Sequence, residues 1–417
     1  MNEIEERLEE LRELGLYRKL RMVSGPQGPR VLLDGKPVLL LCSSNSLGLA
    51  DHPRVRKAAA EAAMRYGIGA GGSRLLSGNM TIHRRLEEQI AEFHASPACV
   101  LFGSGYLANT SVIPALADEG DVVLSDAHNH ASTVDGCRLA RAETFVYDHC
   151  DMEHLEWLLQ EADGRASLIV TDGVFGTDGD VAPLVDIVEL AHRYDARVMV
   201  DDAHGVGALG PGGRGSVADA GVEDEVDVVV GTLGKALGSY GGYVCCDRTM
   251  AKYLVNTARA LAFSAALSPP AVAGALAALE ILRAHPERVH KLQRNARAVV
   301  EALADEGIET SSDTHIVPIP TGSGEAALSA SERLLERGIF AQAIRPPAVP
   351  DGGARLRIAV MASHSASELT PAAREIARAV AAVAPAPAPQ PVLDFDFATP
   401  AEVDSPRRVF DHLREAA

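Results

Sequence analysis

Lys235 stands in GTLGKALGSYGG (residues 231–242), where the apolar run VDVVV turns into a glycine-rich segment. A lysine delivered by such a run is hard to keep charged, and a neutral ε-amine is the nucleophile that forms an imine with an aldehyde. Taken alone, the motif also fits an ordinary loop lysine. A second run, VMVDDAHGVG (198–207), ends on Asp201 and carries His204 close behind. Carboxyl ends of strands in open α/β sheets face the ligand crevice, although an Asp pair capping the next helix is the competing reading. LFGSGYLAN (101–109) turns through Ser104, Gly105 and Tyr106 into a helix, and backbone N–H groups at a helix start bind anions. HNHAS (128–132) adds His130, whose ring can stack on a flat ligand, or be a satisfied loop residue.

An amine for an aldehyde, a carboxylate and an anion turn would together suit pyridoxal 5′-phosphate. A carboxylate against the pyridine nitrogen keeps the ring protonated and makes it an electron sink, the role open to Asp201. His204 would reach the phenolic oxygen, and the turn at Gly105 would take the phosphate.

These residues need a sheet to position them. Between about residues 98 and 247, short β-rich runs recur (ACVLF, DVVLSD, ETFVYD, SLIVTDG, RVMVDDA, DVVVGTLG, GGYVCCD), several separated by helical patterns such as VDIVELAHRYD. Apolar, non-alternating strands belong to a mainly parallel sheet with helices on both faces. Before them lie an amphipathic Glu/Leu/Arg helix and a hairpin turning at Asp34 and Gly35. After Pro269 and Pro270 come Ala-rich helices, the strand HIVPIP, a helix, a strand near Ala343 and ARLRIAVMA. The expected division is an N-terminal helix and hairpin (1–45), a large cofactor-binding domain (46–289), a smaller α+β domain (290–383), and a Pro/Ala linker with a tail (384–417) whose last residues, 405–416, have a helical pattern.

The chain has 417 residues and a formal net charge of −18, which argues against nucleic-acid binding. Its six cysteines lack C-x-x-C spacing and read as reduced core residues. No secretory signal or membrane span is expected, so the default location is cytoplasmic. Gly67, Gly69 and Gly72 satisfy G-x-G-x-x-G, but a helical run precedes them where a dinucleotide fingerprint needs a strand. No metal site is expected.

The order and spacing of Gly105, His130, Asp201, His204, Thr232 and Lys235 resemble the α-oxoamine synthases, over about Leu16 to Ala381. The resemblance implies a homodimeric enzyme of the aspartate-aminotransferase type (fold type I): a mainly parallel seven-stranded sheet with a smaller C-terminal domain. It implies a Schiff base on Lys235, Asp201 at the ring nitrogen, His130 stacked on the ring, and His204 and Thr232 at the cofactor. Ser104, Gly105 and Tyr106 would lie at the phosphate, with Ser264 approaching from the partner subunit. GAGGSRLLSG (69–78) matches the family's GxGGSxxxSG and places Ser73 near substrate, joined by Arg18 and Asn45. Arg357 in ARLR matches the arginine that grips the amino acid carboxylate, a task suited to a bidentate fork.

AIRPPAVPDGGARLR (343–357) looks most like the family members that condense L-alanine with a pimeloyl thioester, on CoA or a carrier protein, to make 8-amino-7-oxononanoate for biotin. The expected reaction is this decarboxylative condensation. The alternatives are glycine with acetyl-CoA, a longer acyl chain or, more remotely, a non-catalytic subunit. Departures from the family pattern are Gly176 and Ala348, Ala265 and Ala266, which replace hydroxyl residues, and Ser46 in place of a tyrosine.

Overall fold

Seven apolar strands build the sheet that carries the site. The computed structural model describes residues 2–310, 312–346 and 348–383; the Pro/Ala linker and the tail pattern lie outside the described residues. In chain order the strands are β1 (Val23–Ser24), β2 (Arg30–Leu33), β3 (Lys36–Leu40), β4 (Ala98–Phe102), β5 (Val122–Asp126), β6 (Glu143–Tyr147), β7 (Ser167–Asp172), β8 (Arg197–Asp201), β9 (Val228–Thr232), β10 (Gly242–Cys246), β11 (Ile316–Gly322), β12 (Ile339–Phe340), β13 (Gln342–Ile344) and β14 (Ala354–Ala359).

The main sheet has the order β4-β10-β9-β8-β7-β5-β6. All neighbours are parallel except β10, which runs antiparallel to both β4 and β9. β5, β7 and β10 are buried along their whole length, as strands covered on both faces must be. Helix Leu184–Arg193 turns one apolar face to this core. Helix Pro269–Ala284 is apolar nearly all round and correspondingly buried.

The N-terminal hairpin turns through Asp34 (φ 49°) and Gly35 (φ 79°), the left-handed pair that a two-residue turn demands. Helix Glu3–Glu13 starts with a capping box from Asn2 and Glu5 but buries no residue. A long-range pairing completes the hairpin sheet: β12 joins β3 in parallel, with Ile339 opposite Leu39. The last sheet, β11-β14-β13, is antiparallel and carries Arg357 on its middle strand. The six cysteines are free, with Cys99, Cys245 and Cys246 inside strands.

Candidate active site

Parallel register aligns two carboxylates at the carboxyl ends of neighbouring strands, since Asp172 of β7 pairs with Asp201 of β8. Asp201 is only 8% exposed and bonds locally at both oxygens. Oδ1 accepts from the Ala203 amide at 3.0 Å and Oδ2 from Asn109 Nδ2 at 2.5 Å. Asp172 is buried, and burial, then the Asp201 charge, push its carboxyl well above the usual carboxylate range. Lys235 follows β9 in the turn beyond Thr232, three residues past the strand end where the run of valines had suggested it. Burial pushes its amine down to about 8, against the opposing pull of Asp201 and Asp172. A half-buried, partly neutral amine near an acid pair is the arrangement imine chemistry requires.

The histidines of the site are neutral bases. Burial, then Lys235 and Arg357, hold His204 well below its ordinary value. His130 caps helix Ala131–Leu139, with Nδ1 2.7 Å from Ser132 Oγ. Burial lowers its pKa, although Asp201 pulls the other way, and its backbone N–H donates to Asp172 at 3.3 Å. Packing covers one side of the residue, yet it remains exposed overall, which leaves ring surface free for a stacking partner.

Ser104 is the N-cap of helix Gly105–Leu116; its hydroxyl accepts from the Leu107 amide at 3.1 Å. The amides of Gly105 and Tyr106, in the first turn, have no intrahelical acceptor by the geometry of a helix start. A Cβ on Gly105 would come within 3.7 Å of the Thr232 side chain, which places that residue beside the same turn. The Thr232 hydroxyl itself donates to the Gly241 carbonyl at 3.0 Å. Tyr106 is 44% exposed and gives its hydroxyl to Asp135, so only its amide faces the anion position. The Ser264 hydroxyl bonds the Ala260 carbonyl, and Ser264 shares a small cavity with Gly103.

Across the crevice, Arg357 donates from Nε to the Gly176 carbonyl, and burial lowers its pKa. A Cβ on Gly176 would stand 2.7 Å from His204 Nε2, so glycine here admits the imidazole. Asn45 accepts from the Leu49 and Ala50 amides at 2.9 and 3.1 Å, while its buried Nδ2 has no partner among the described residues. Ser73 bridges to Ala265. Arg18 is exposed and lies beside Arg345, whose pKa is lowered by burial and then by Arg18. Arg18, Ser73 and Ser264 make no hydrogen bond to the Lys235 cluster among the described residues.

Three partners were not singled out from sequence. Asn109 is the last letter of the phosphate-turn motif, a full turn beyond Gly105, and that spacing was the available signal. Asp172 ends SLIVTD as Asp201 ends VMVD, and the parallel pairing makes them neighbours. His315 had no local signal. It is 4% exposed, its Nδ1 has no partner among the described residues, and its ring lies 6.4 Å from that of His204. Burial, then Arg357 and Lys235, pull it down to about 3.

On the neighbouring strand end, near enough for Asp126 to act on Asp172, Asp126, His149 and Cys150 cluster closely enough to suggest a metal site. His149, however, has both ring nitrogens on carboxylates, Asp126 at 2.9 Å and Asp180 at 2.6 Å. Burial opposes the charge, but the two acids push the ring up to about 12, leaving an imidazolium with no lone pair for a cation.

The fit to pyridoxal phosphate rests on these features. A buried carboxylate without a cation bonded to it suits a pyridinium N–H, the open His130 ring suits a flat ligand, and a helix start suits a phosphate.

A family model described as aminotransferase class I and II matches residues 36–376. The chain belongs to the aminotransferase class I and II family, and the fold is the aspartate-aminotransferase type expected above. It is 50% identical over 377 residues to the 8-amino-7-oxononanoate synthase of Citrifermentans bemidjiense, covering 89% of this chain and 97% of that one. The same-named protein of Geobacter sulfurreducens is 50% identical over 375 residues, covering 89% and 96%. Among solved structures, Sphingomonas wittichii serine palmitoyltransferase superposes with a TM-score of 0.85 at 32% identity, covering 91% and 97%. The 8-amino-7-oxononanoate synthase of Francisella tularensis gives 0.72 at 26% identity, covering 83% and 98%. None of the described helices is long and apolar enough to cross a membrane.

Proposed function

We propose that this chain condenses L-alanine with a pimeloyl thioester, on CoA or a carrier protein, releasing carbon dioxide and the thiol carrier and forming 8-amino-7-oxononanoate for biotin synthesis. The observation that carries the reading is the Lys235 amine, lowered to about 8 by burial, with Asp201 and Asp172 and then Arg357 close enough to act on its charge. Half-identity to two synthases of that name over nine-tenths of the chain supports this choice of substrates.

Pyridoxal phosphate, when bound, supplies a ring that takes up the electron pair left on the amino acid's α-carbon. Lys235 would hold it covalently, Asp201 would accept its ring N–H, His130 would cover its face, and the Gly105 and Tyr106 amides would take its phosphate. Asn109 and the Ala203 amide fix the Asp201 carboxylate in place. Arg357 would orient the alanine carboxylate, anchored by its bond to the Gly176 carbonyl. Freed of its covalent link, the Lys235 amine would accept the α-proton of alanine, and its ammonium form would return a proton to the product carbon. His204, kept neutral by burial, would donate a hydrogen bond without adding a second positive charge beside Lys235.

The chain is read as a cytoplasmic homodimer with shared active sites, in which Ser264 approaches the partner's cofactor phosphate and Arg18 and Ser73 serve substrate. The division at about residue 290 into large and small domains belongs to the same reading. A second reading is favoured by the superposition on serine palmitoyltransferase: L-serine with a long acyl thioester. Carbon dioxide release, measured with alanine, glycine and serine against pimeloyl, acetyl and palmitoyl thioesters, tests both. Absence of turnover with alanine plus pimeloyl thioester overturns the first.

A further inference from the structure

Helix Glu287–Ala304 carries Arg288, Lys291 and Arg294 at three-residue spacing, which groups them along one side of its first turns. They line a cavity of about 490 Å³ with Arg54, His52 and Ser363. Among the described residues, none of the three helix cations lies within ion-pair distance of a carboxylate, and Arg288 reaches only the Leu47 carbonyl at 3.4 Å. Arg54 has a single remote acid, Glu280 at 3.9 Å. Glu287, the one carboxylate in the lining, is bonded to His285 at 3.0 Å.

This is an unusual concentration of positive charge on a chain of net charge −18. Like charges one turn apart destabilise a helix, so an unneutralised row of them calls for a counter-charge. We propose that this cavity is a binding site for a phosphate-bearing anion of the phosphomonoester or diphosphate class, separate from the crevice around Lys235. Three guanidinium forks, from Arg54, Arg288 and Arg294, and the Lys291 ammonium around one cavity suit phosphate oxygens. The positive potential registers on His52, whose pKa is lowered by burial, then by Arg288 and Arg54. The segment 47–50, whose Leu47 carbonyl accepts from Arg288, also packs near the turns that follow His204 and Lys235. A Cβ on Gly207 would lie 3.1 Å from the Leu47 side chain, and one on Gly238 would lie 2.3 Å from the Ala50 amide.

Two sources share this chemistry: the nucleotide phosphates of a CoA-type thioester, and a free phosphate or pyrophosphate ion. Calorimetric titration of the cofactor-loaded enzyme at low salt with inorganic pyrophosphate, and separately with phosphate, tests the site. The filled cofactor pocket removes that phosphate position from the measurement. Saturable binding is expected, weakened at least about tenfold in Lys291→Ala/Arg294→Ala, whose side chains are exposed and whose loss leaves the core intact. Thermal melting of the variant confirms that it is folded, and Arg288→Gln repeats the test from a half-buried position. A KM raised for a CoA thioester but not for the matching pantetheine thioester assigns the site to the carrier; both KM values unchanged, with pyrophosphate binding lost, assigns it to a free anion. No saturable binding by the unaltered enzyme, or equal affinity in the variants, overturns the proposal. The titration needs no turnover, so it stands apart from the choice of substrates.

Discussion

Asn109 Nδ2 lies 2.5 Å from Asp201 Oδ2 and 2.9 Å from Ser132 Oγ, so one buried amide ties the acid of β8 to the helix that His130 caps. The carboxylate is oriented from helix Gly105–Leu116, which begins at the anion turn. One helix thereby sets both the phosphate position and the direction of the acid that would face the ring nitrogen.

Replacing that amide tests the coupling. A hydrogen bond to a charged group is worth about 1.5–3 kcal/mol, so Asn109→Leu is expected to weaken cofactor affinity or lower kcat by roughly 10- to 100-fold. Equilibrium titration with pyridoxal phosphate and steady-state kinetics measure it. Unchanged values would show that the Ala203 amide alone suffices.

Gly176 is a second point of leverage. An added methyl would stand 2.7 Å from His204 Nε2, the free end of a side chain that can swing away. Gly176→Ala is therefore expected to reduce kcat while shifting Tm by only a few degrees, about 1 kcal/mol or less of stability. A large fall in Tm with kcat intact would reverse this assignment of the strain.

Arg357→Lys keeps the charge but loses the planar fork and its bond to the Gly176 carbonyl. KM for alanine is expected to rise about 10- to 100-fold, with KM for the thioester little altered. A thioester-specific effect would move Arg357 from the amino acid to the acyl substrate.

The Lys235 amine sets a pH dependence in the cofactor-free protein. Its folded-state pKa of about 8 lies below the 10.5 of an unperturbed lysine, so the unfolded chain binds more protons between those two pH values. Stability contributed by this group accordingly rises with pH through that window, by about 1.4 kcal/mol per unit of displacement at most. Lys235→Met should be most favoured over the unaltered protein near pH 7, and the advantage should shrink toward pH 10.5. Urea melts of both proteins across this range check it, and a pH-independent difference would contradict a depressed amine.

Much of this was readable from local pattern because local chemistry leaves local marks. Seven β-rich runs announced the seven strands of the main sheet, Asp34-Gly35 announced a hairpin, and a lysine in a glycine-rich turn announced an unusual amine. His315 left no such mark. It arrives just ahead of β11, and its closeness to His204 arises from packing between segments far apart in the chain.

The chain alone therefore determined which side chains were available and which end of each strand would deliver them, since burial period and turn residues act over a few neighbours. Only the tertiary structure decided which met. Parallel register set Asp172 beside Asp201, a helix brought Asn109 onto that carboxylate, and an antiparallel sheet carried Arg357 to Gly176. Pairing and packing are long-range choices, settled by which arrangement buries the apolar faces while pairing the backbone polar groups, and no window of sequence contains that comparison.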